Sequence, residues 1–271
     1  MATCYRHPSR DTGVSCSSCG NPICTDCMTP TPVGMRCPDC ARQRTKVRTA
    51  RTMAAEPRVT YALIAMNVAA FFAQVATEGG ARVGDGRVYQ EGALAGVLVE
   101  DGEWWRLVTS GFLHANPIHL LLNMVVLWFL GQALEPVLGH VKFAAVYLAS
   151  LLAGSFGAIL LTDPLTATVG ASGAVYGLMG ALVILYRDRG VAITQSPIFG
   201  LLVVNVLFTF FYPGVSIGGH LGGLAGGALA ALLVFAAERR RSTPLALAGC
   251  AAVAVVAAAG AIIAAGAQTI A

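Results

Sequence analysis

Four side chains suited to nucleophilic and acid–base chemistry lie in or beside long apolar stretches of this sequence. Ser172 sits in GASGAVYG, His220 in SIGGHLGGLAGG, and His119 and Asn123 in NPIHLLLNMVV. A serine is a weak nucleophile at its free pKa and needs a base within hydrogen-bond reach. His220 is the only histidine on the later apolar stretches, which makes it the natural base. Acyl transfer also needs donors aimed at the developing oxyanion. His119 and Asn123 are four residues apart and share one helix face. With the Ser172 backbone N–H at a helix N-terminus, where amides are unpaired, they form a candidate oxyanion hole. No aspartate lies at a depth suited to orienting His220. Tyr176, four residues after Ser172 on the same face, can do so by stacking. The expected device is a Ser-His dyad rather than a triad. Each residue also has a plainer reading: a serine bonding a carbonyl, a structural interfacial histidine, an asparagine joining two helices. The plain readings do not predict all four at one depth.

That depth follows from the rest of the chain. Hydrophobic residues make up 56% of the 271 and charged residues 12%, well below the roughly 25% charged of a soluble domain. Mean hydropathy is +0.67, the value of a membrane protein. Seven apolar stretches, about 59–76, 117–134, 141–161, 171–186, 198–212, 216–237 and 245–267, are mostly near the ~20 residues that span hydrocarbon as a helix. The basic run Arg42, Arg44, Lys46, Arg48, Arg51 and Arg58, then Lys142, then Arg187 with Arg189, then Arg239–Arg241, fall at alternate ends of successive stretches. All are cytoplasmic at once if the N-terminus is inside. Ser172, His220, His119 and Asn123 then share the outer half of the membrane, where ionisable groups default to function. The basic run fixes topology on this reading, and no nucleic-acid partner is expected.

The fourth stretch is too short to span: about 16 residues reach only ~24 Å at ~1.5 Å per residue. It follows the irregular LTDPLTATVG. Irregular backbone at membrane depth survives only inside protein or beside a water-filled cavity. A short central helix with Ser172 at its sunken N-terminus fits. Gly173, Gly177 and Ala181 make one small-residue stripe and Gly219, Gly223 and Gly227 another. Packed together, they bring Ser172 to His220.

Seven of the eight cysteines lie in residues 4–40. No apolar signal segment precedes them, so a reducing cytosol and metal binding are expected rather than disulfides. Cys250, alone in an apolar stretch, reads as a small packing residue. The head is ordered Cys4-x2-His7, Cys16-x2-Cys19, Cys24-x2-Cys27, Cys37-x2-Cys40. Four such pairs supply eight ligands, enough for two closed tetrahedral Zn²⁺ sites of structural type. About 40 residues build little core, so metal would supply the folding energy.

Together, GASG with Tyr176, HLGGLAGG around His220, HLLLN at 119–123 and EWWR at 103–106 resemble the rhomboid intramembrane serine proteases over roughly residues 58–240. The resemblance implies Ser172 as nucleophile and His220 as general base and acid. It further implies an oxyanion hole of His119, Asn123 and the Ser172 amide, Gly170 before the nucleophile turn, and Tyr176 packed on His220. Trp105 and Arg106 match a structural motif of the first outer loop, Glu135 a structural glutamate, and His114 a secondary outer histidine. Gly219 replaces the family's usual alanine, and the glycine-rich loop 77–103 departs from the family hairpin. The head, by its order and spacing, resembles a B-box type of cross-braced zinc finger. That likeness implies Cys4, His7, Cys24 and Cys27 on one ion and Cys16, Cys19, Cys37 and Cys40 on the other; a sequential pairing is the alternative.

The expected architecture is all-α and polytopic. A zinc-binding domain at 1–41 and a basic juxtamembrane linker at 42–57 precede a six-helix core at 58–243 and an added C-terminal transmembrane helix at 244–271. The expected location is the plasma (inner) membrane, N-terminus cytoplasmic and C-terminus outside. The expected activity is cleavage of other proteins' transmembrane segments near their outer ends, with no cofactor in catalysis and a cytosolic protein partner for the head. A catalytically silent membrane-protein binder or quality-control factor is the alternative. A transporter is disfavoured because no charged residue lies clearly mid-span.

Overall fold

The computed structural model describes residues 2–42, 56–78, 84, 86–212 and 214–268. Most of the basic linker, residues 43–55, and Arg82 and Asp85, which are expected on the outside of the membrane, lie outside the described residues. The chain divides into two compact units, Met1–Met53 and Ala54–Ala271.

Among the described residues the first unit contains two small hairpins, a 3-10 turn at Thr25–Cys27 and one short α-helix. Strand β1 (Ala2–Thr3) pairs antiparallel with β2 (Asp11–Thr12), and β3 (Thr29–Thr31) with β4 (Gly34–Arg36), followed by α1 (Pro38–Arg42). Its buried cluster is Ile23 with six of the cysteines, Cys4, Cys16, Cys24, Cys27, Cys37 and Cys40. One isoleucine does not make a hydrophobic core, so the fold depends on what the thiols hold.

The second unit contains α2 (Arg58–Glu78), α3 (Arg87–Gly92), α4 (Gly96–Glu100), α5 (Arg106–Thr109), α6 (Pro117–Leu138), α7 (His140–Leu161), α8 (Ser172–Asp188), α9 (Phe199–Phe211), α10 (Ile217–Arg239) and α11 (Thr243–Gln268). Five of these, α2, α6, α7, α10 and α11, are long and apolar enough to cross a membrane. The seven apolar stretches thus give five full-length helices and two short ones. The 17-residue α8 is short as expected, but α9 has only 13 residues, reaching ~20 Å. Its start is held back by Ser196, whose Oγ accepts from the Ile198 N–H at 3.2 Å. Its end is set by Tyr212, extended at φ −100° and ψ 120°, the conformation forced on a residue that precedes proline.

The centre of the bundle is built on glycine. A Cβ on Gly223 would strike the Gly173 carbonyl of α8, and one on Gly227 the Gly177 carbonyl. A second row faces α7: a Cβ on Gly218 or Gly222 would strike Gly157 or the Ala153 carbonyl. Only the first row was legible as a stripe. With both, α10 lies at backbone contact distance from two helices. Apolar lipid offers no hydrophobic drive for this, so close packing itself holds the helices together.

Helix α2 joins this centre through a polar seam. Thr60, Asn67 and Gln74, seven residues apart and so on one stripe, are all fully buried. The buried Glu135 carboxylate of α6 accepts the Val59 and Thr60 amides, each at 2.8 Å, and the Thr60 hydroxyl at 2.6 Å. These amides are orphan donors at a helix start, where a carboxylate is most stabilising. At the other end, Gln74 Oε1 accepts the His114 N–H at 3.0 Å.

The segment between α2 and α6 contains the short helices α3, α4 and α5, tied by Arg106. This guanidinium is 4% exposed; it donates to the Gln90 and Ala93 carbonyls at 2.7 and 2.8 Å and pairs with Glu103. Trp105 Nε1 donates to the Glu91 carbonyl at 3.0 Å. Leu94 and Thr168 exchange backbone hydrogen bonds at 3.0 and 2.7 Å, fastening this loop to the irregular segment before α8. Helix α11 packs against the same end of the bundle. Its Ala261 and Ala265 pack with Leu94, Val99, Leu107, Ala158 and Ile159, and Gln268 Nε2 donates to the Ile159 carbonyl at 2.6 Å.

The α8–α10 contact leaves no room for a side chain. Gly223→Val is expected to lower stability by at least about 1–3 kcal/mol, the usual cost of overpacking, read as a lower unfolding midpoint in mixed micelles. Unchanged stability would mean that the two helices are not in backbone contact.

Candidate active site

The segment before α8 must descend to the cavity and turn sharply. Gly170 has φ +134°, a region open to glycine and strained for other residues. A Cβ there would also lie 2.8 Å from His119 Cε1 and 2.9 Å from Nε2, so the imidazole lies against a bare backbone. The Gly170 N–H donates to the Ser110 carbonyl at 2.9 Å. Ala171 caps α8, whose first residue is Ser172. The nucleophile candidate therefore stands at the positive end of a helix, with its amide among the unpaired ones.

His119 and Asn123 lie on the first turns of α6, capped by Asn116, whose Oδ1 accepts the His119 N–H at 2.8 Å. Asn123 Nδ2 donates to the His119 carbonyl at 3.0 Å, which uses one of its two hydrogens and leaves the other. The His119 ring meets the His114 ring edge-on at a centroid separation of 5.1 Å. His114 is fully buried, and among the described residues neither of its ring nitrogens has a hydrogen-bond partner.

Tyr176 and His220 are stacked, 3.9 Å between centroids and 16° between planes. Ser172, Gly170, Tyr176, His220, His119 and Asn123 all line one cavity of about 1260 Å³. Among the described residues Ser172 Oγ makes no hydrogen bond to His220. Bonds of this kind are commonly open in the resting state and tighten around substrate.

The sequence offers no aspartate to orient His220, only stacking by Tyr176; the structure adds a hydroxyl. Thr209 Oγ1 of α9 lies 2.8 Å from His220 Nδ1. The Tyr176 hydroxyl bonds both Thr209 and the Asn205 carbonyl, and Thr209 Oγ1 reaches that carbonyl at 3.2 Å. A signal was present: Asn205 and Thr209 are the two hydrogen-bonding side chains of FGLLVVNVLFTFF and stand four apart.

The head brings together its first and third ligand pairs, Cys4, His7, Cys24 and Cys27, and its second and fourth, Cys16, Cys19, Cys37 and Cys40. This is the crossed grouping rather than the sequential one. His7 Nδ1 lies 3.9, 3.3 and 3.4 Å from the sulfurs of Cys4, Cys24 and Cys27, and Cys19 lies 3.8 Å from Cys37. A tetrahedral ion with bonds of about 2.3 Å to sulfur sets its ligands about 3.8 Å apart, so each group could hold a metal ion. The Cys37 N–H donates to Cys16 Sγ at 3.3 Å and, with the Cys19 and Ser18 amides, pulls that thiol down to about 6 against the opposing effect of burial. Burial and the neighbouring Cys4 and Cys24 sulfurs push Cys27 up to about 11. Crowded thiols cannot all ionise unaided, and a cation would remove that conflict.

Residues 101–237 match the Rhomboid domain family. The chain is 33% identical over 179 residues to the rhomboid protease GluP of Bacillus subtilis, covering 65% of this chain and 34% of that protein. It is 39% identical over 147 residues to YdcA of the same organism, covering 53% of this chain and 73% of that protein. It is 37% identical over 145 residues to RHOMBOID-like protein 5 of Arabidopsis thaliana, covering 50% of this chain and 46% of that protein. With half its length matched, the chain belongs to the rhomboid family.

Proposed function

We propose that this protein is an active intramembrane serine endopeptidase that cleaves transmembrane segments of other membrane proteins near their outer ends. The observation that carries this reading is the shared cavity. Ser172 at a helix start, His220 behind it, and His119 with Asn123 opposite line one space in a bundle of apolar helices.

In this reading Ser172 Oγ attacks the scissile carbonyl carbon as its proton passes to His220 Nε2. The carbonyl oxygen, now an oxyanion, accepts from His119, the Asn123 amide and the Ser172 N–H. Collapse expels the leaving amine, which takes the proton from His220. Water then attacks the acyl-serine with His220 again as base, and the acid product leaves while Ser172 recovers its proton. Tyr176 holds the imidazole plane by stacking, and Gly170 allows the turn that presents the serine.

The rest of the reading concerns placement. The chain crosses the inner membrane seven times, with α8 and α9 completing the set, the N-terminal head in the cytosol and the C-terminus outside. The head holds two structural Zn²⁺ ions, on Cys4, His7, Cys24 and Cys27 and on Cys16, Cys19, Cys37 and Cys40, and docks a cytosolic protein. Those eight ligands close both sites, so the ions take no part in catalysis.

Ser172→Ala is expected to abolish cleavage of a membrane-tethered reporter, by about 1000-fold or more, while the protein still inserts. Equal cleavage by the variant would sink the reading. Failure of a fluorophosphonate to label Ser172 in the native protein would favour the silent binder.

Elemental analysis of the purified chain is expected to give two zinc per molecule and Cys16→Ser to give one. Two zinc in the variant would exclude Cys16 as a ligand.

A further inference from the structure

The plane of His220 is set by Tyr176, but stacking leaves open which ring nitrogen carries the proton. A histidine that takes a proton from a serine must keep Nε2 free, with its own hydrogen on Nδ1. In a triad an aspartate enforces this by accepting from Nδ1–H. Here the atom 2.8 Å from Nδ1 is the Thr209 hydroxyl oxygen.

The hydrogens around Thr209 can be counted. It has one proton to give and lone pairs to receive. The Asn205 carbonyl, four residues earlier on the same helix, lies 3.2 Å from Oγ1 and, having only lone pairs to offer, can receive that proton. The Tyr176 hydroxyl is bonded to both Thr209 and the Asn205 carbonyl, so Thr209 stands among acceptors for its proton other than the imidazole. The amide of Asn205 is not involved, since its Nδ2 donates to the Leu201 carbonyl at 2.9 Å. With its proton on the Asn205 carbonyl, Thr209 Oγ1 is free to accept from the imidazole, the arrangement in which Nδ1 is the donor. The opposite assignment would place the proton on Nε2 and disable the base.

We propose that Thr209 is the positioning residue of this protease: its hydroxyl accepts from His220 Nδ1–H, fixes the tautomer that leaves Nε2 free, and does for the dyad what a carboxylate does in a triad. This rests on the reading of His220 as the base. The pair is buried, with Thr209 3% and His220 5% exposed, which favours a direct bond between them over bonds to bulk water. A neutral acceptor is suited to such a place, since a carboxylate there would have to be desolvated. Thr209 is also one of two buried residues on α9, with Leu202, so the hydroxyl that orients the histidine is also a main anchor of that helix.

The test separates the hydroxyl from the space it fills. Thr209→Val keeps the shape and removes the acceptor; Thr209→Ser keeps the acceptor and removes a methyl. The full-length protein in micelles is assayed for kcat and KM on a transmembrane reporter and for the rate of fluorophosphonate acylation of Ser172, with Ser172→Ala and His220→Ala as controls. Thr209→Val is expected to lower kcat and the acylation rate by about 10-fold or more, the worth of one net hydrogen bond, with KM within about twofold. Thr209→Ser is expected to stay within about threefold of the native protein. If the valine variant does not fold, Thr209→Ala carries the same expectation. A hydroxyl-free variant that matches native kcat, or a serine variant that loses as much as valine, would overturn the proposal. If the native protein neither cleaves nor is labelled at Ser172, the protease reading itself fails and Thr209 with it. The two failures are thus told apart.

Discussion

The structure depends on how closely α10 approaches two other helices. In lipid, apolar surface gains nothing by turning inward, so helices associate through short-range packing and through polar groups that lipid cannot satisfy. Gly223 and Gly227 lie on the carbonyls of Gly173 and Gly177, while Gly218 and Gly222 lie on Gly157 and Ala153. No residue with a side chain permits these distances. The contact also registers the chemistry: Ser172 immediately precedes Gly173, and His220 lies between Gly219 and Gly223. Tyr176, one turn after Ser172, is thereby placed flat on the imidazole at 3.9 Å.

Everything outside this centre supports one of its neighbours. Glu135 caps the start of α2, and Gln74 bonds the backbone of His114, whose ring abuts that of His119. The loop between α2 and α6, knotted by Arg106, pairs Leu94 with Thr168 and so steadies the approach to Gly170. Helix α11 closes a second small core against that loop with Ala261 and Ala265. Apart from the alanine packing of α11, these contacts use buried polar groups that are costly in hydrocarbon unless bonded, which ties the placement of one element to the placement of the next. The cysteine-rich head follows a different rule. Its interior is thiol rather than hydrocarbon, so ligand geometry takes the place of a core.

Residues with an unusual chemical type for their surroundings were the easiest to read. Ser172, His119, Asn123 and His220 stood out because each is costly in an apolar stretch, and loop charges put them at one depth. The eight head ligands stood out by repeated spacing. The second glycine row of α10 was hidden because glycine is frequent in the whole stretch, and only a partner helix shows which ones matter. The seam of Thr60, Asn67 and Gln74 was overlooked because each is a mild polar residue. Its seven-residue spacing means something only once a facing surface exists.

The sequence by itself determined the inventory: apolar stretches, their order, the serine and histidine motifs and the paired cysteines. These are properties of composition and spacing, which a linear chain carries without folding. Only the tertiary structure decided what meets what. The crossed grouping of the head's ligand pairs, the 13-residue length of α9 and the contact of Thr209 with His220 Nδ1 depend on residues far apart in the chain or on local backbone turns. A hydrogen bond is a matter of about 3 Å and a direction. Neither is set until α8, α9 and α10 have packed.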